Sequence, residues 1–335
     1  MTRKYSNIFK SIIGGVRVRV RHRPQLVTLT RRETHTSTTM FSANHSAYTP
    51  SPTVVLNDGT SMPTLIYGSG TALRDKDASH AISSAIQVGY RHIDCAQMYK
   101  NEQSVGRGIS LSGVPRDELY ITTKILPVPE GSSVVATLRD SLAKMGLGYV
   151  DMCLIHEPVG HRDLVRTWRE VMGCKEAGLC RSIGVSNFRV EDLELLKSNY
   201  TDLPTVNQIE YNPYLYEANK RLLEYLAECN IVTVSYCGLA PITRVSNGPL
   251  DTVLPQIAQR VSESAGETVT PGQVLQLWLR RQGLPYVSTT WKPERLKEYL
   301  RVATLPDLTD EEERLISERG STVHHRFFVR SYTKP

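Results

Sequence analysis

Four polar residues whose types suit proton transfer stand where apolar runs of the sequence give way to loops. Asp94 lies at the end of one run, and Tyr99 follows it in the next loop. Lys124 and His156 lie at the ends of the next two apolar runs. In a barrel of alternating strands and helices, polar residues at the C-terminal ends of strands are typical of catalytic sites. Successive strand ends would therefore bring a carboxylate, a phenol, an ammonium and an imidazole to one surface.

Together these four groups have the chemistry that carbonyl reduction needs. A free phenol has a pKa of about 10, and the ammonium of Lys124 beside it would lower the pKa of Tyr99 towards a useful range. Asp94 would supply the counter-charge that a buried lysine requires. A neutral His156 would hydrogen-bond a substrate carbonyl and orient it towards the phenol. Because no side chain can supply hydride, this interpretation requires a nicotinamide cofactor.

Each of these residues taken alone has an ordinary structural explanation. A Tyr, Lys or Asp at a strand end is commonly solvated or salt-bridged, and a single buried His is commonly a hydrogen-bonded structural residue. The arrival of all four at consecutive strand ends favours one shared site. The residue types by themselves do not name the reaction.

The segments that must position these residues alternate between strand and helix patterns. Predicted strands fall near residues 64–67, 91–95, 119–125, 149–156, 181–186, 205–210, 231–237 and 285–290. Predicted helices fall near residues 77–88, 101–111, 132–145, 161–176, 190–197, 217–229, 271–281 and 293–301. Eight such repeats indicate a closed (β/α)8 TIM barrel, because a doubly wound sheet usually has fewer.

Two further segments flank this repeat. Asp58-Gly59 stands between two short apolar runs and predicts an N-terminal β-hairpin over residues 54–62. Thr309, with Glu312 three residues later, predicts the start of an extra C-terminal helix near residues 309–318, followed by a tail.

Composition and charge exclude several classes of function. The net charge of +6 resides in residues 1–40, which hold nine bases and one acid, so residues 41–335 hold 31 bases and 33 acids. We therefore expect no nucleic-acid partner. No apolar run approaches the roughly 20 residues of a membrane helix, so we expect no membrane partner. The six cysteines show neither CxxC pairs nor metal-ligand spacing with His, which indicates free thiols and no metal site.

Residues 1–52 are expected to form a disordered basic leader and linker, with the barrel domain over residues 53–335. The first 40 residues are rich in Arg, Ser and Thr with Glu33 as their acid, as in mitochondrial transit peptides. The Val-Arg alternation over residues 16–21 is poor material for an amphipathic helix, however. A disordered extension, or an upstream start before Met40, is the alternative. We expect a cytoplasmic protein, with mitochondrial import as the other possibility.

Several long motifs, in order along the chain, resemble those of the aldo-keto reductase family. They are Gly-Tyr-Arg-His-Ile-Asp-Cys-Ala-Gln at 89–97, Tyr-Lys-Asn-Glu at 99–102, Ile-Gly-Val-Ser-Asn-Phe at 183–188 and Val-Asn-Gln-Ile-Glu-Tyr-Asn-Pro at 206–213. The resemblance spans about residues 54–330 and implies an enzyme that reduces ketones or aldehydes to alcohols. The family's catalytic tetrad falls on Asp94, Tyr99, Lys124 and His156. By this resemblance Tyr99 is the proton donor, and Tyr99 and His156 contact the substrate.

The resemblance also implies where a nicotinamide cofactor binds. Ser186, Asn187 and Gln208 would hold its carboxamide, and Tyr236 would stack on its ring. Amide and hydroxyl groups suit an uncharged carboxamide, and an aromatic face suits a flat heterocycle. Without the resemblance, a buried and satisfied amide for Gln208 and core packing for Tyr236 remain open. Residues 241–250 would form the loop that closes over the pyrophosphate.

The end of the last predicted strand departs from the family pattern. The family commonly has a Lys-Ser pair where this chain has Thr289 and Thr290, and that Lys acts with a later Arg on the adenosine 2′-phosphate. Arg295 is retained, and Lys292 offers a second cation near a helix start. Two cations at this place favour a phosphate, so we expect NADPH with Thr290, Lys292 and Arg295 in its site. A solvated pair of charges is the alternative.

A second departure concerns the substrate side. Many relatives have Trp-Pro after the catalytic His, whereas this chain has Glu157-Pro158 and a short loop before Trp168. This pattern resembles the fungal branch that reduces conjugated polyketones and ketopantoyl lactone. It implies small activated ketones, such as α-dicarbonyls and α-keto lactones or esters, with Glu157 in the substrate site. The alternative is a non-catalytic relative that serves as a binding or regulatory subunit. For either we expect a monomer or a weak dimer.

Overall fold

The computed structural model describes residues 51–328 of the chain. Residues 1–50, which make up nearly all of the expected leader, and residues 329–335 lie outside this range. The domain boundary at residue 52 therefore remains a prediction. Within the described range the chain forms a short hairpin followed by a closed barrel, which confirms the predicted fold.

Ten strands in residues 51–328 make up the hairpin and the barrel. The hairpin pairs β1 (Thr53–Val55) with β2 (Ser61–Pro63) in antiparallel register. The barrel strands are β3 (Leu65–Gly68), β4 (His92–Asp94), β5 (Tyr120–Ile125), β6 (Val150–Ile155), β7 (Cys180–Ser186), β8 (Val206–Glu210), β9 (Val232–Tyr236) and β10 (Tyr286–Ser288). Each barrel strand pairs in parallel with the next, and β10 closes the ring by pairing with β3.

Helices connect the strands and cover the outside of the barrel. They are α1 (Ser79–Val88), α2 (Glu102–Ser112), α3 (Val134–Met145), α4 (Leu164–Glu176), α5 (Val190–Lys197), α6 (Tyr216–Glu228), α7 (Ala240–Thr243), α8 (Val253–Ala265), α9 (Pro271–Arg281), α10 (Pro293–Arg301) and α11 (Asp310–Gly320). At the start of α11, Thr309 and Glu312 form the expected reciprocal capping box. None of the helices described between residues 51 and 328 has the length and apolar character to cross a membrane.

The structure adds α8, which the sequence interpretation leaves inside the connection between β9 and α9. Its buried residues follow helical spacing and are Val253, Leu254, Ile257, Ala258 and Val261. Pro255 stands in the first turn, where a missing N–H removes no helical hydrogen bond. Because no strand separates α8 from α9, it interrupts the strand–helix alternation on which the prediction depended.

The hairpin closes one end of the barrel. Leu56 and Met62 are buried against apolar residues that line the inside of the barrel strands. Asn57 Nδ2 donates a hydrogen bond of 3.0 Å to the carbonyl oxygen of Pro204, which precedes β8. The hairpin therefore covers the N-terminal ends of the strands and leaves the C-terminal ends open for a site.

His92 is a buried histidine at the start of β4. Its Nδ1 lies 3.0 Å from the Pro63 carbonyl oxygen, and its Nε2 lies 2.8 Å from Thr122 Oγ1. Burial lowers the pKa of His92 to about 4, and the hydrogen bond to Pro63 opposes this effect only in part. The folded chain therefore holds this imidazole neutral at pH values where a solvated histidine is charged.

We predict that acidification destabilises the barrel between about pH 6.5 and pH 4 through His92. The unfolded chain binds a proton here near pH 6.5, whereas the folded chain does so only near pH 4. The stabilisation is therefore complete above pH 6.5 and is lost as the pH falls towards 4. Urea unfolding across this range should show the decline, and His92→Gln should make it shallower, while buried His156 contributes a decline of its own. His80→Gln, at an exposed position, is the control, and an equal effect of the two substitutions would contradict the prediction.

Candidate active site

Lys124 stands at the centre of the candidate site, with its ammonium between an acid and a phenol. Lys124 Nζ donates hydrogen bonds to Asp94 Oδ1, to the Cys95 carbonyl oxygen and, over 3.3 Å, to the Tyr99 hydroxyl oxygen. Asp94 and Lys124 are both buried. The strand register explains their proximity, because Asp94 on β4 pairs with Thr122 on β5. Lys124 lies two residues further along β5 and therefore on the same face.

The partners of Lys124 preserve its charge. Burial by itself would lower the pKa of Lys124, but the charges and hydrogen bonds of Asp94 and Tyr99 raise it above its ordinary value. The ammonium is therefore charged at neutral pH although it has no contact with solvent.

Tyr99 ends a short 3-10 turn, Gln97–Tyr99, between β4 and α2. Burial raises the pKa of Tyr99, while the charge of Lys124 lowers it, and the net shift is upwards. The sequence-based expectation of a net lowered pKa is wrong, because the cost of desolvating a phenolate exceeds the effect of the ammonium. The phenol is therefore protonated near neutral pH, which is the form that a proton donor needs.

His156 follows β6 directly and contacts the ring of Tyr99 edge to face, with 5.8 Å between the ring centroids. Burial lowers the pKa of His156 to about 3, and the charges of Lys124 and Arg74 act in the same direction. The imidazole is therefore neutral over the physiological range. Its Nδ1 atom is buried and has no hydrogen-bond partner within residues 51–328. Buried polar atoms normally have a partner, so this nitrogen is available to a ligand or to water.

The residues expected to hold a nicotinamide form a continuous hydrogen-bond network. Ser186 Oγ donates to the Gln208 carbonyl oxygen over 2.8 Å. Asn187 Nδ2 donates to Ser186 Oγ and to the His156 carbonyl oxygen. The Tyr236 hydroxyl donates to Asn187 Oδ1 over 2.7 Å. Asn187 has a φ of 62°, a left-handed conformation that Asn adopts more readily than most residues.

Gln208 joins this network to the buried acid. Its Nε2 donates to Asp94 Oδ2 over 2.9 Å, while Lys124 occupies Oδ1 of the same carboxylate. The structure thus brings together eight of the residues singled out in the sequence, namely Asp94, Tyr99, Lys124, His156, Ser186, Asn187, Gln208 and Tyr236. They belong to six different barrel strands or the segments that follow them.

A cavity of about 740 Å³ lies over these residues at the C-terminal mouth of the barrel. This volume is in the range of small-molecule and cofactor sites. Glu157, which the sequence places in the substrate site, is buried in the cavity wall next to His156. The wall also contains Arg244 of the expected loop over residues 241–250, and residues that the sequence analysis missed, among them Arg74, Phe327 and Phe328.

The segment after α11 forms one wall of this cavity. The backbone N–H groups of Phe327 and Phe328 each donate a 2.9 Å hydrogen bond to the carboxylate of Glu210, which is buried at the end of β8. The ring of Phe328 contacts the ring of Tyr236 with 5.6 Å between centroids. The guanidinium of Arg244 lies 5.2 Å from the centroid of Phe327. Glu210 is 117 residues from Phe327 in the chain, so no local sequence pattern marks this contact.

A second cavity, of about 590 Å³, contains part of the expected pyrophosphate loop over residues 241–250. Arg295, Glu298 and Tyr299 of α10 line this cavity. Lys292 is exposed at the N-cap of α10 and is not among the lining residues. Thr290 is buried, and its Oγ1 accepts a 3.1 Å hydrogen bond from the Lys292 backbone N–H. The structure thus brings Arg295, but not Lys292, to the wall of this cavity.

Within residues 51–328, neither the thiols nor the potential metal ligands form a disulfide or a metal site. All six cysteines lie within residues 51–328 and are free, and four of them are buried. In the part of the chain that the structure describes, no group of His, Cys, Asp and Glu is arranged to hold a metal ion.

Known proteins are similar to this chain in both sequence and fold. The Aldo/keto reductase family model matches residues 64–318. An aldo-keto reductase of Mycolicibacterium smegmatis is 41% identical over 82% of this chain and 93% of its own length. An NAD/NADP-dependent indole-3-acetaldehyde reductase of Schizosaccharomyces pombe is 32% identical over 81% of this chain and 96% of its own. A methylglyoxal reductase of Yersinia pestis is 37% identical over 76% of this chain and 88% of its own.

Solved structures give the same result. The aldo-keto reductase of Bombyx mori in complex with NADP has a TM-score of 0.75 and 29% identity, and covers 86% of this chain and 98% of its own. An aldo/keto reductase of Brucella melitensis has a TM-score of 0.70 and 33% identity, and covers 81% of this chain and 100% of its own. The family resemblance of the sequence motifs is therefore confirmed. The chain belongs to the aldo-keto reductase family and is a nicotinamide-dependent oxidoreductase on a (β/α)8 barrel.

Proposed function

We propose that this protein reduces a small ketone or aldehyde to an alcohol with NADPH and uses Tyr99 as the proton donor. The observation that carries the proposal is the contact of buried Lys124 with both Asp94 and Tyr99 beside a cavity. When the phenol gives up its proton, the ammonium stabilises the phenolate that remains. A carbonyl oxygen that becomes an alcohol requires a proton delivered in this way.

His156 and Tyr99 are the two groups that would bind the substrate oxygen. Both line the cavity, and their rings are in edge-to-face contact. Because the imidazole of His156 is neutral, it can donate one hydrogen bond to the carbonyl without acting as the acid. This leaves proton transfer to Tyr99. Asp94 contributes indirectly, by keeping Lys124 charged.

The hydrogen-bonding groups on β7 and β8 fit a nicotinamide carboxamide. Ser186 offers a hydroxyl, and Asn187 and Gln208 offer amides. These groups bond to protein partners in the structure and would exchange some of those bonds for bonds to the oxygen and nitrogen of the carboxamide. The half-buried ring of Tyr236 lines the same cavity and is suited to stacking on a flat ring. When bound there, the nicotinamide supplies the hydride.

Arg295 supports NADPH in preference to NADH. It lies in the first turns of α10 and lines the second cavity, and a helix N-terminus favours an anion. Lys292, at the N-cap of the same helix, adds a second positive charge nearby. The segment over residues 241–250 contributes to both cavities, as an extended dinucleotide spanning them would require. The Bombyx mori relative is in complex with NADP, whereas the Schizosaccharomyces pombe relative is named for both NAD and NADP.

We further propose that the substrate is a small activated ketone, such as a vicinal dicarbonyl or an α-keto lactone. Glu157 occupies the wall position after His156, and the short loop to α4 adds little bulk there. The proposal is supported by the methylglyoxal reductase of Yersinia pestis, whose named substrate is a vicinal dicarbonyl. The sequence resemblance to the fungal branch that reduces ketopantoyl lactone points to the same class. An adjacent carbonyl makes the reacting carbon more electrophilic, so the reaction needs less binding energy.

The competing hypothesis is a non-catalytic relative that binds a cofactor or ligand. Such a protein has no need of a buried ammonium next to a phenol. Taking Lys124 and Asp94 out of water costs free energy that their attraction repays only in part. The presence of the pair beside Tyr99 therefore favours catalysis.

We predict that Tyr99→Phe abolishes carbonyl reduction and leaves NADPH binding close to wild type, because it removes only the transferable proton. Lys124→Met should also inactivate the enzyme, since the phenolate loses its stabilising charge. The measurements are NADPH oxidation with a panel of carbonyls and NADPH titration by protein fluorescence. Tyr200→Phe, which removes a hydroxyl that donates to the Val165 carbonyl, is the matched control and should keep full activity.

Near-normal turnover by Tyr99→Phe would refute the proposed proton donor. Absence of NADPH oxidation by the wild-type protein with every carbonyl of the panel, together with tight NADPH binding, would instead support the non-catalytic hypothesis.

We predict that Arg295→Ala weakens NADPH binding much more than NADH binding, because only NADPH carries the 2′-phosphate. A charge-assisted contact contributes roughly 1.5–3 kcal/mol, which corresponds to roughly ten- to a hundred-fold in affinity. Lys292→Ala should act in the same direction and less strongly. Dissociation constants for both cofactors test this, with Arg301→Ala at the far end of α10 as the control. Equal losses for the two cofactors would show that these cations do not bind the phosphate.

We predict higher kcat/KM for ketopantoyl lactone, isatin and methylglyoxal than for xylose, glucuronate or a 3-ketosteroid. Glu157 should repel a carboxylate substrate, so Glu157→Gln should raise kcat/KM for glucuronate more than for xylose. A steady-state substrate panel with both proteins makes the comparison. Preference of the wild-type enzyme for a sugar or a steroid would contradict the substrate proposal and leave the reductase proposal intact.

A further inference from the structure

Gly70 packs against the ring of Tyr99, in the loop between β3 and α1, and lines the same cavity. A Cβ atom added to Gly70 would lie 2.8 Å from Tyr99 Cζ and 3.1 Å from each Cε atom. Carbon atoms in contact are normally about 3.5–4.0 Å apart. Cζ is the ring carbon that bears the hydroxyl group. The reacting end of the phenol therefore occupies the space that any side chain at position 70 would need.

Backbone conformation does not explain the glycine at this position. Gly70 has a φ of −78°, which every L-residue can adopt. Gly113, by contrast, has a φ of 71° and ends α2 in the left-handed region that favours glycine. At Gly70 the constraint is space alone. Because the obstructing atoms belong to the end of the Tyr99 side chain and not to backbone, an alanine here would move the phenol and spare the fold.

Asn101 attaches the same loop to the segment that carries Tyr99. Its Nδ2 donates to the carbonyl oxygens of Ser69 and Leu73, each over 2.9 Å. The side chain is buried, and its Oδ1 has no hydrogen-bond partner among the described residues. Within the described residues, Asn101 therefore bonds through its amide nitrogen, which donates to two carbonyl groups of the loop, one on each side of Gly70.

The contact between Tyr99 and Lys124 is sensitive to small movements. The hydroxyl oxygen lies 3.3 Å from Lys124 Nζ, just beyond the usual 2.7–3.2 Å of an N–H···O bond. The backbone of Tyr99 is fixed by a 2.9 Å hydrogen bond from the Asp75 N–H to its carbonyl oxygen. The ring packs against the loop at Gly70 and contacts His156 edge to face. A shift of the loop or of the ring would therefore change the distance to the ammonium.

We propose that Gly70 and Asn101 are positioning residues for the proton donor. Gly70 provides the surface against which the phenol rests, and Asn101 holds that surface at a fixed distance from the turn Gln97–Tyr99. Neither residue contributes a group to the reaction. The inference rests on the proposed function, because it takes Tyr99 to be the acid. It adds that the hydroxyl is placed by the contact of the ring with Gly70 as well as by Lys124.

The test is Gly70→Ala in the full-length protein. The single-turnover rate of NADPH oxidation with a good ketone should fall roughly 100-fold, because a displacement of about 1 Å at a reacting group has an effect of this size. The KM for the ketone, the dissociation constant of NADPH and the thermal midpoint should remain near wild type.

Gly108→Ala is the matched control. A Cβ there would lie 2.6 Å from the backbone oxygen of Ser79 in the interface between α1 and α2, so this variant should lower the thermal midpoint and keep the turnover rate at low temperature. Asn101→Ala should reproduce the kinetic effect of Gly70→Ala with a larger loss of stability. If Asn101→Ala does not fold, the measurements on Gly70→Ala alone test the positioning role.

Wild-type turnover by Gly70→Ala would overturn the inference. Loss of NADPH binding in Gly70→Ala would also overturn it, because the effect would then not be specific to the donor. An active Tyr99→Phe enzyme would instead refute the proposed function. An inactive Tyr99→Phe with a fully active Gly70→Ala would refute only the positioning role.

Discussion

The arrangement of the site depends on one buried charge, the ammonium of Lys124. A lysine without contact to solvent keeps its charge only when a carboxylate lies against it, and Asp94 fills this role. The carboxylate in turn needs donors on both oxygens, and Gln208 supplies the second. Removal of either ion would leave the other uncompensated inside the barrel. The pair is therefore a constraint on the fold as well as a source of chemistry.

This constraint links the two halves of the proposed reaction. Gln208 belongs to the group that fits a nicotinamide carboxamide, and the same group extends through Ser186 and Asn187 to the ring of Tyr236. Hydrogen bonds therefore connect the ammonium of Lys124, through Asp94, Gln208, Ser186 and Asn187, to the hydroxyl of Tyr236 in the wall of the cavity. This chain of contacts spans five barrel strands, which are β4, β5, β7, β8 and β9. Closure of the barrel makes such a chain possible, because it leaves no sheet edge that can move away.

The mouth of the barrel is built differently from its floor. Inside the barrel, the register of the paired strands fixes the position of each side chain. At the mouth, loops and the C-terminal segment form the walls of the cavity. The buried carboxylate of Glu210 accepts backbone hydrogen bonds from Phe327 and Phe328 and so holds that segment over the cavity. Arg244 packs against the same two rings. Under the proposed function these walls would contact the substrate, whereas the groups proposed for proton transfer lie at strand ends and in the turn after β4.

The sequence by itself determined the strand–helix repeat, the hairpin and the residues at the strand ends, because each depends on local spacing. Alternation of apolar runs predicts the barrel, and Asp94, Lys124 and His156 stand at run ends that a parallel barrel brings to one face. Long motifs added the cofactor residues by resemblance. Helix α8 was missed because it breaks the alternation.

Tertiary structure alone decided the walls and the electrostatics. Glu210 and the C-terminal segment, or Gly70 and the phenol, meet only after the chain has folded, so no sequence window contains both partners. The pKa of Tyr99 likewise depends on how much water the folded site excludes. Lys124 lowers that pKa as its charge requires, but desolvation is the larger effect and raises it. Spacing along a sequence can indicate which groups meet, whereas the distance between them and the water they lose are properties of the folded chain.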